Sequence, residues 1–376
     1  GNVSGSYQSW GDKTLRRFDP EGFFNTGSNV NNSLTFSTGT QKHQTYFSAA
    51  TTNARNILPN SGYNRYNFTF RDVTKFLKDK LTVDLSASYI LQDNKNMIAA
   101  GKYFNPLPAL YLFPRGDDFD NVRLYQRWDE SRNLYTQAWD YGSGDMSFQN
   151  PYWIMNKMIN QTKKRRYMLS ANLKYDVTDW LDVTGRVKVD NADMDITEKR
   201  YAGTDTNFAG EKGMYSIIKR NDRQIYADAI ANIDLTFAGD YHLSANVGAS
   251  LKDVRMDFMG WGGDLRKIPN FFSITNISTT NYKEREDGSH IQSQSIFANV
   301  ELAWKSMLYL TVTGRNDWES ALAFSKYKSF FYPSVGLSVV VSEMVDMPEW
   351  FSFLKVRGSY SAVGSSYAAY LTKPYY

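Results

Sequence analysis

The sequence predicts an all-β protein: an antiparallel transmembrane β-barrel, present here as a partial barrel of about 12 strands. Three observations predict this fold class. Apolar and polar residues alternate through most of the chain, the connections sort by length, and long apolar runs are missing. Of the 376 residues, 42% are hydrophobic and 15% are aromatic. Yet no run approaches the ~20 consecutive apolar residues of a membrane helix.

The clearest alternation lies in residues 167–190, which we interpret as two strands joined at 176–180. Apart from Met168, apolar or aromatic residues and one glycine occupy every second position of both arms: Tyr167, Leu169, Ala171, Leu173, Tyr175, Leu181, Val183, Gly185, Val187 and Val189. A period of two indicates a sheet with one apolar and one polar face. Pairing Tyr175 with Leu181 keeps the apolar side chains together, so we expect that register. Each arm is about ten residues long, near the roughly 9–11 that cross a bilayer at a tilt.

The same unit recurs along the chain and gives six hairpins, or roughly twelve strands. Residues 1–10 are interpreted as one strand or its end, and the Gly- and Asn-rich residues 19–32 as a loop. In chain order, the turns within hairpins are predicted at residues 39–42, 77–80, 176–180, 238–240, near 306 and, longer, through 348.

The connections between hairpins are much longer than these turns. They are predicted at residues 51–64, 92–166, 191–224, 253–292 and 316–330. Short turns at one rim and long loops at the other are typical of outer-membrane barrels, with short periplasmic turns and long extracellular loops. A soluble β-sandwich is the alternative, but its loops need not sort by length. Aromatic residues also flank the short turns, as in an interfacial girdle, although β-proteins use aromatic residues freely.

Composition excludes several function classes. The net charge is only +4 and the charges are scattered, so a nucleic-acid partner is not expected. Cysteine is absent, which excludes disulfide bonds, thiolate metal ligands and cysteine nucleophiles. The three histidines are too few and too dispersed to predict a metal site or a catalytic triad. No Gly-x-Ser-x-Gly elbow is present, and Gly260–Gly263 lacks the Lys-Ser/Thr ending of a phosphate loop. We therefore expect no enzyme and no cofactor.

The predicted loop 92–166 is the most informative region outside the strands. Its many aromatic residues argue against disorder, and loops above about 15 residues are often functional. Candidates for contact with a ligand or with a lid protein are Arg115, Asp117, Asp118, Trp128, Trp139 and Trp153. The alternative is that these side chains pack the loop onto the barrel mouth. The carboxylates at 117, 118 and 120 are compatible with the hypothesis of a calcium site. The glycine and the terminal glutamate of a helix–loop–helix calcium site are missing from the sequence here.

Several short motifs in collinear order resemble the SusC/RagA-like branch of TonB-dependent outer-membrane transporters from Bacteroidetes. Each motif is weak alone, but their order is specific and covers nearly the whole chain. The motifs are YFNPL at 103–107, YLFPRGDD at 111–118, QRWD at 126–129, QNPYW at 149–153, GRNDW at 314–318, FYPSVG at 331–336 and LKVRGSY at 354–360.

This resemblance implies an outer-membrane barrel of about 22 strands whose lumen is closed by an N-terminal plug. It also implies active import of oligosaccharides, glycans or peptides, a SusD-like surface lipoprotein as lid, and energy from the TonB complex. Residues 1–376 are then expected to be a segment of the barrel, with the plug domain and remaining strands outside it. An open sheet in lipid would leave backbone groups unpaired, so we expect pairing with those strands. The alternative is a passive porin-like barrel without energised gating.

Overall fold

A computed structural model describes residues 2–3, 6–7, 17–141, 148–280, 282–348 and 350–372. Twelve strands form one antiparallel sheet in which each strand pairs with its neighbours in sequence. The predicted fold class and the number of strands are confirmed. The strands are β1 Ser28–Gly39, β2 His43–Arg55, β3 Gly62–Phe76, β4 Leu81–Lys95, β5 Met158–Thr178, β6 Leu181–Tyr201, β7 Gly213–Phe237, β8 Tyr241–Asp264, β9 Lys283–Trp304, β10 Leu308–Glu319, β11 Ser329–Val340 and β12 Lys355–Ser361.

The hairpin of β5 and β6 forms as predicted, but in a different register. Tyr175 pairs with Val183, two residues from the predicted partner Leu181. Leu181 instead lies opposite Thr178, and the register shifts between Leu181 and Asp182. Because side chains alternate with a period of two, a shift of two residues leaves every apolar side chain on the same face. Alternation fixes which face is apolar, and the irregularity at the turn fixes the register.

An apolar belt covers one face of the sheet. Directly paired positions on six neighbouring strands form one row of it: Phe47, Phe70, Ala87, Leu169, Val189 and Ile225. Leu169 remains 47% exposed and Val187 48% exposed in the described chain. A contiguous exposed apolar surface of this extent is typical of a face that meets lipid or a partner.

The strands are longer than predicted, and the connections between hairpins are correspondingly shorter. β5 and β6 have 21 residues each and β7 has 25. Beyond the belt the outer face becomes polar; there Arg165 and Lys219 both form ion pairs with Asp195. Alternation of apolar and polar residues is visible in a sequence only where one face of the strand is apolar. It therefore disappears beyond the belt, although the backbone pairing continues there. The observed connections are 56–61, 96–157, 202–212, 265–282 and 320–328.

Most of the large buried side chains cluster in the connection 96–157, which we call the long loop. It contains helix α1 Pro106–Tyr111, a 3-10 turn at Phe119–Arg123, a small hairpin of Gln126–Asp129 with Leu134–Gln137, and helix α2 Pro151–Lys157. The buried cluster comprises Phe23, Leu58, Leu110, Phe113, Val122, Trp153, Ile154, Met155 and Met158. The sequence analysis argued against disorder in this loop but did not identify these elements.

The N-terminal predictions have a mixed outcome. Residues 2–3 pair with residues 6–7 in a short ladder, and the rest of 1–10 lies outside the described residues. The predicted loop 19–32 ends early, because β1 begins at Ser28 and pairs along its length with β2. Strand pairing here overrides the low strand propensity of asparagine. No helix in the described ranges is both long and apolar enough to span a membrane.

Candidate functional site

Trp153 lies in the buried core of the long loop. It lies in α2, where the Asn150 side chain accepts hydrogen bonds from the backbone N–H groups of Tyr152 and Trp153. The Trp153 side chain is fully buried, and its indole Nε1 donates to Thr204 Oγ1 at 3.0 Å. This burial favours the packing alternative for Trp153, and a ligand contact at this residue stays a prediction.

Four of the candidates lie in the part of the long loop around Phe113. Asp117 lies near Tyr141, and burial together with that carboxylate raises the pKa of the Tyr141 hydroxyl. Asp118 caps the 3-10 turn, since its carboxylate accepts from the backbone N–H of Asp120 at 3.0 Å. The other two candidates lie against aromatic rings: Arg115 is 3.6 Å from the Phe18 ring centroid, and Trp139 is 6.0 Å from Phe113 and 4.9 Å from Tyr141.

The calcium interpretation of these carboxylates gains no support from the geometry. Asp118 is engaged in capping, as described above, and Asp117 lies beside a tyrosine. Within the described ranges, no group of three or more His, Asp or Glu side chains could hold a metal ion.

Trp128 is set apart from the other candidates on the small hairpin of the long loop. It is 49% exposed and meets the Tyr135 ring edge-on, with centroids 5.1 Å apart. Leu124, just before the hairpin, is 66% exposed. Exposed aromatic and aliphatic side chains on a well-packed loop form a surface that suits a protein or carbohydrate partner.

Buried amides attach the long loop to the neighbouring connections 56–61 and 202–212, and the sequence analysis did not identify them. The side-chain amide of Asn96 donates to the backbone oxygens of Asn60 and Met155 at 3.0 and 2.8 Å. Gln149 accepts from the Asp205 backbone at 3.3 Å. The asparagines directly before Pro106 and Pro151 were the available sequence signal, since Asn followed by Pro often starts a helix.

The other face of the sheet is polar and carries charged networks between strands. Arg186 donates to both carboxylate oxygens of Asp228 at 2.8 and 2.7 Å, and the Tyr226 hydroxyl donates to the same carboxylate at 2.8 Å. Arg71 and Asp84 form a second two-point pair at 2.9 and 2.8 Å. Such groups cannot face hydrocarbon without a cost of about 2–4 kcal/mol near the bilayer midplane, so this face lines a hydrated space.

A cleft of about 740 Å³ lies on this polar face, where β6, β7, β8 and β9 end. We call it the strand-end cleft. It is lined by Arg200 of β6, Ser216 of β7, Gly262 of β8, and Lys283 and Arg285 of β9. Sequence reasoning did not bring these residues together, because they come from four strands and depend on the register.

The connection 202–212 closes one side of the strand-end cleft. Arg200 Nη1 donates to the backbone oxygen of Phe208 at 2.8 Å, and the Gly210 backbone donates to Asp264 at 2.7 Å. The Arg200 guanidinium also lies 4.6 Å from the Phe104 ring centroid of the long loop. The cleft is therefore bounded by strands on one side and by packed loops on the other.

The profile of the family described as "TonB dependent receptor-like, beta-barrel" matches residues 111–372. The chain belongs to this family. TonB-dependent receptors are outer-membrane proteins, and the predicted location is confirmed. Their short turns are periplasmic and their long loops extracellular, so the long loop and the strand-end cleft lie at the extracellular mouth. The family is one of transporters rather than enzymes.

Individual proteins agree with this assignment. TonB-dependent receptor P26 of Formosa agariphila is 23% identical over 339 residues, covering 87% of this chain and 32% of that protein. The RagAB peptide transporter structure matches with a TM-score of 0.72 at 15% identity, covering 89% of this chain and 36% of that one. The siderophore receptor PiuA of Acinetobacter baumannii matches with a TM-score of 0.51 at 12% identity, over 83% and 46% of the two chains. The described chain thus spans about a third of the length of P26.

Proposed function

We propose that this chain forms part of the wall of an energised outer-membrane importer of the SusC-like type, carrying oligosaccharides, glycans or peptides. Membership of residues 111–372 in the TonB-dependent receptor family is the observation that carries the proposal. The polar lumenal face supports it, because the Arg186–Asp228 and Arg71–Asp84 pairs suit a water-filled path for a polar solute. The structurally similar RagAB is a peptide transporter.

The proposal includes three protein or lipid contacts. The apolar belt contacts outer-membrane lipid. A SusD-like surface lipoprotein covers the extracellular mouth, and the exposed Trp128 and Leu124 of the long loop suit its docking. The TonB complex acts through a plug region that is not among residues 1–376. Such a plug lies inside the barrel and needs a hydrated wall around it. The charged pairs on the lumenal face of the sheet form a wall of this kind.

Ligand contacts on the long loop remain part of the proposal for five candidates. Arg115, Asp118 and Trp128 are exposed enough to reach a solute, while Asp117 and Trp139 are half-buried. Aromatic rings stack on sugar rings, and the charged groups hydrogen-bond to hydroxyl or peptide groups. Trp153 is fully buried in the core of the same loop.

The test is uptake of labelled oligosaccharide and peptide by cells that carry the full-length protein. An energised importer loses uptake when an uncoupler collapses the proton-motive force, and deleting the plug region without loss of the inserted barrel leaves only uptake that no longer depends on that force. The passive porin-like alternative predicts uptake that continues in the presence of the uncoupler, and that result would contradict the proposal.

A further inference from the structure

Two glycines and two exposed cations of neighbouring strands meet in the strand-end cleft. Lys283 and Arg285 of β9 lie directly opposite Gly262 and Gly260 of β8. Glycine has no side chain, and the β7 side chains of Ile218 and Ser216 lie against these two positions: a Cβ placed on Gly260 or Gly262 would be 3.0 Å from Ile218 Cγ1 or 2.9 Å from Ser216 Oγ. Both cations are exposed, and both line the cleft.

The positive charge of Lys283 and Arg285 is not compensated by the acids around it. Neither side chain forms an ion pair within the described ranges. Glu284 and Glu286 alternate with them and project from the opposite face of the strand. Asp287 is the next residue on their own face, and it forms no ion pair with Arg285.

The two acids inside the cleft are already engaged. Glu198 accepts a hydrogen bond from Arg200 Nη2 at 3.1 Å, and Asp264 accepts from the Gly210 backbone at 2.7 Å. Glu198 is neutralised by Arg200, whereas Asp264 keeps its negative charge beside the connection 202–212. Because Lys283 and Arg285 bring two positive charges against that one carboxylate, the described lining of the cleft is positive overall.

The neutral part of the lining suits a sugar more than a peptide. Phe208 lies at the edge of an aromatic group, 5.0 Å from the Tyr103 ring and 5.1 Å from the Phe104 ring. Hydroxyl and amide groups surround the two glycines, from residues Thr206, Asn207, Ser216 and Thr280. An aromatic ring beside apolar side chains matches the face of a pyranose ring, and the small polar groups match its hydroxyls.

We infer that the strand-end cleft binds the carboxylate-bearing sugars of an acidic oligosaccharide, with Lys283 and Arg285 as the groups that select the charge. This inference rests on the proposed import function and narrows its substrate to uronate-type glycans. Arg285 presents a planar fork that matches a carboxylate in two-point geometry, and Lys283 adds a point charge beside it. Arg200, held by Phe208 and Glu198, forms the fixed wall of the cleft.

Binding to the purified full-length transporter tests the inference. Three probes are compared by calorimetry: an oligogalacturonate, the same oligosaccharide with its carboxyls methyl-esterified, and an oligoglutamate of equal charge. The native protein is expected to prefer the oligogalacturonate over both. Lys283→Gln with Arg285→Gln is expected to weaken its binding about tenfold, the effect of losing two exposed charge-assisted contacts.

A matched control separates cleft binding from general attraction of anions. Arg266 and Lys267 are adjacent exposed cations in the connection 265–282 and do not line the cleft. Arg266→Gln with Lys267→Gln removes the same charge and is expected to leave oligogalacturonate binding unchanged. Lys283→Arg with Arg285→Lys retains both charges and is expected to retain most of the affinity, which also shows that the site tolerates substitution.

Several results would overturn the inference. These are equal affinity of the native protein for acid and ester, no binding of oligogalacturonate, a preference for oligoglutamate, or equal losses in the cleft and control variants. Each of these leaves the proposed import function standing if uptake still depends on the proton-motive force. Loss of that dependence would instead contradict the import function, whatever the cleft binds.

Discussion

The sheet and the long loop are stabilised in different ways. In the sheet, large apolar side chains such as Leu169 remain exposed, and lipid supplies their environment. In the long loop, Trp153, Leu110 and Val122 are fully buried against other protein side chains. A barrel wall needs no interior core of its own, because its strands satisfy their backbone groups and its belt meets hydrocarbon. The extracellular loop lies in water and must build a protein core.

This difference explains why mutations of the same kind should act differently in the two regions. Truncating a large side chain should damage the loop and spare the sheet. Introducing a charge should damage the belt and spare the strand extensions above it. The following predictions compare the regions in order of expected effect.

Trp153→Ala should have the largest effect, destabilising the long loop by about 3–5 kcal/mol. It empties the centre of the loop core and leaves Thr204 without its indole partner. Limited proteolysis should cut within 96–157 while the barrel keeps its resistance to heat and detergent. Unchanged protection of the loop would show that Trp153 does not hold it together.

Leu173→Arg should destabilise the inserted barrel by about 2–4 kcal/mol, because it places a charge on the outer face within the belt. Leu173 is 50% exposed on that face. The control is Met259→Arg on the outer face of β8 above the belt, where Met259 is 43% exposed. Urea unfolding in lipid vesicles should show little change for Met259→Arg, and equal losses for the two variants would contradict the assignment of the belt.

Asn150→Ala should weaken the loop by about 1–2 kcal/mol. Its side chain caps α2 and donates to the Val122 backbone oxygen at 2.8 Å, and it is fully buried. Asn105→Ala is the matched control, since Asn105 caps α1 with a single bond to the Leu107 backbone at 3.0 Å. Hydrogen exchange of the two helices should show the larger loss for α2.

Trp128→Ala should be close to neutral for stability, within about 0.5 kcal/mol, because the side chain is half exposed. The same variant should reduce association with the surface lipoprotein if that lipoprotein docks on the small hairpin. Co-purification of the two full-length proteins measures this directly, and unchanged association would remove Trp128 from the docking surface.

The sequence predicted the sheet well, because the alternation of apolar and polar residues can be read from each strand alone, whichever strand it pairs with. The hairpin 167–190 shows both the strength and the limit of that signal. The face of each residue was correct, while the register was two residues off, β5 was predicted to begin too late and β6 to end too early. Register depends on the irregularity at Leu181, and the outer face of the strand extensions carries charges such as Arg165 and Asp195.

The candidate site was less predictable for a physical reason. Trp128 and Trp153 belong to the same aromatic-rich loop, yet one is half exposed and the other is fully buried. Composition does not separate them, since burial depends on contacts with distant residues such as Thr204. The strand-end cleft was not identified because Lys283 and Arg285 are ordinary charges until the register places them over Gly262 and Gly260.

Site-directed spin labelling along β5 tests the central claim, that the apolar face of this sheet contacts lipid and the other lines a hydrated lumen. Residues 1–376 contain no cysteine, so single cysteines can carry the label at positions 163–175 of the reconstituted full-length protein once any cysteine elsewhere in it is replaced. From 167 to 175, accessibility to oxygen should peak at odd positions and accessibility to a water-soluble nickel chelate at even ones. Below position 167, both faces should become accessible to the chelate. Uniform accessibility, or alternation that continues unchanged through 163, would contradict the claim.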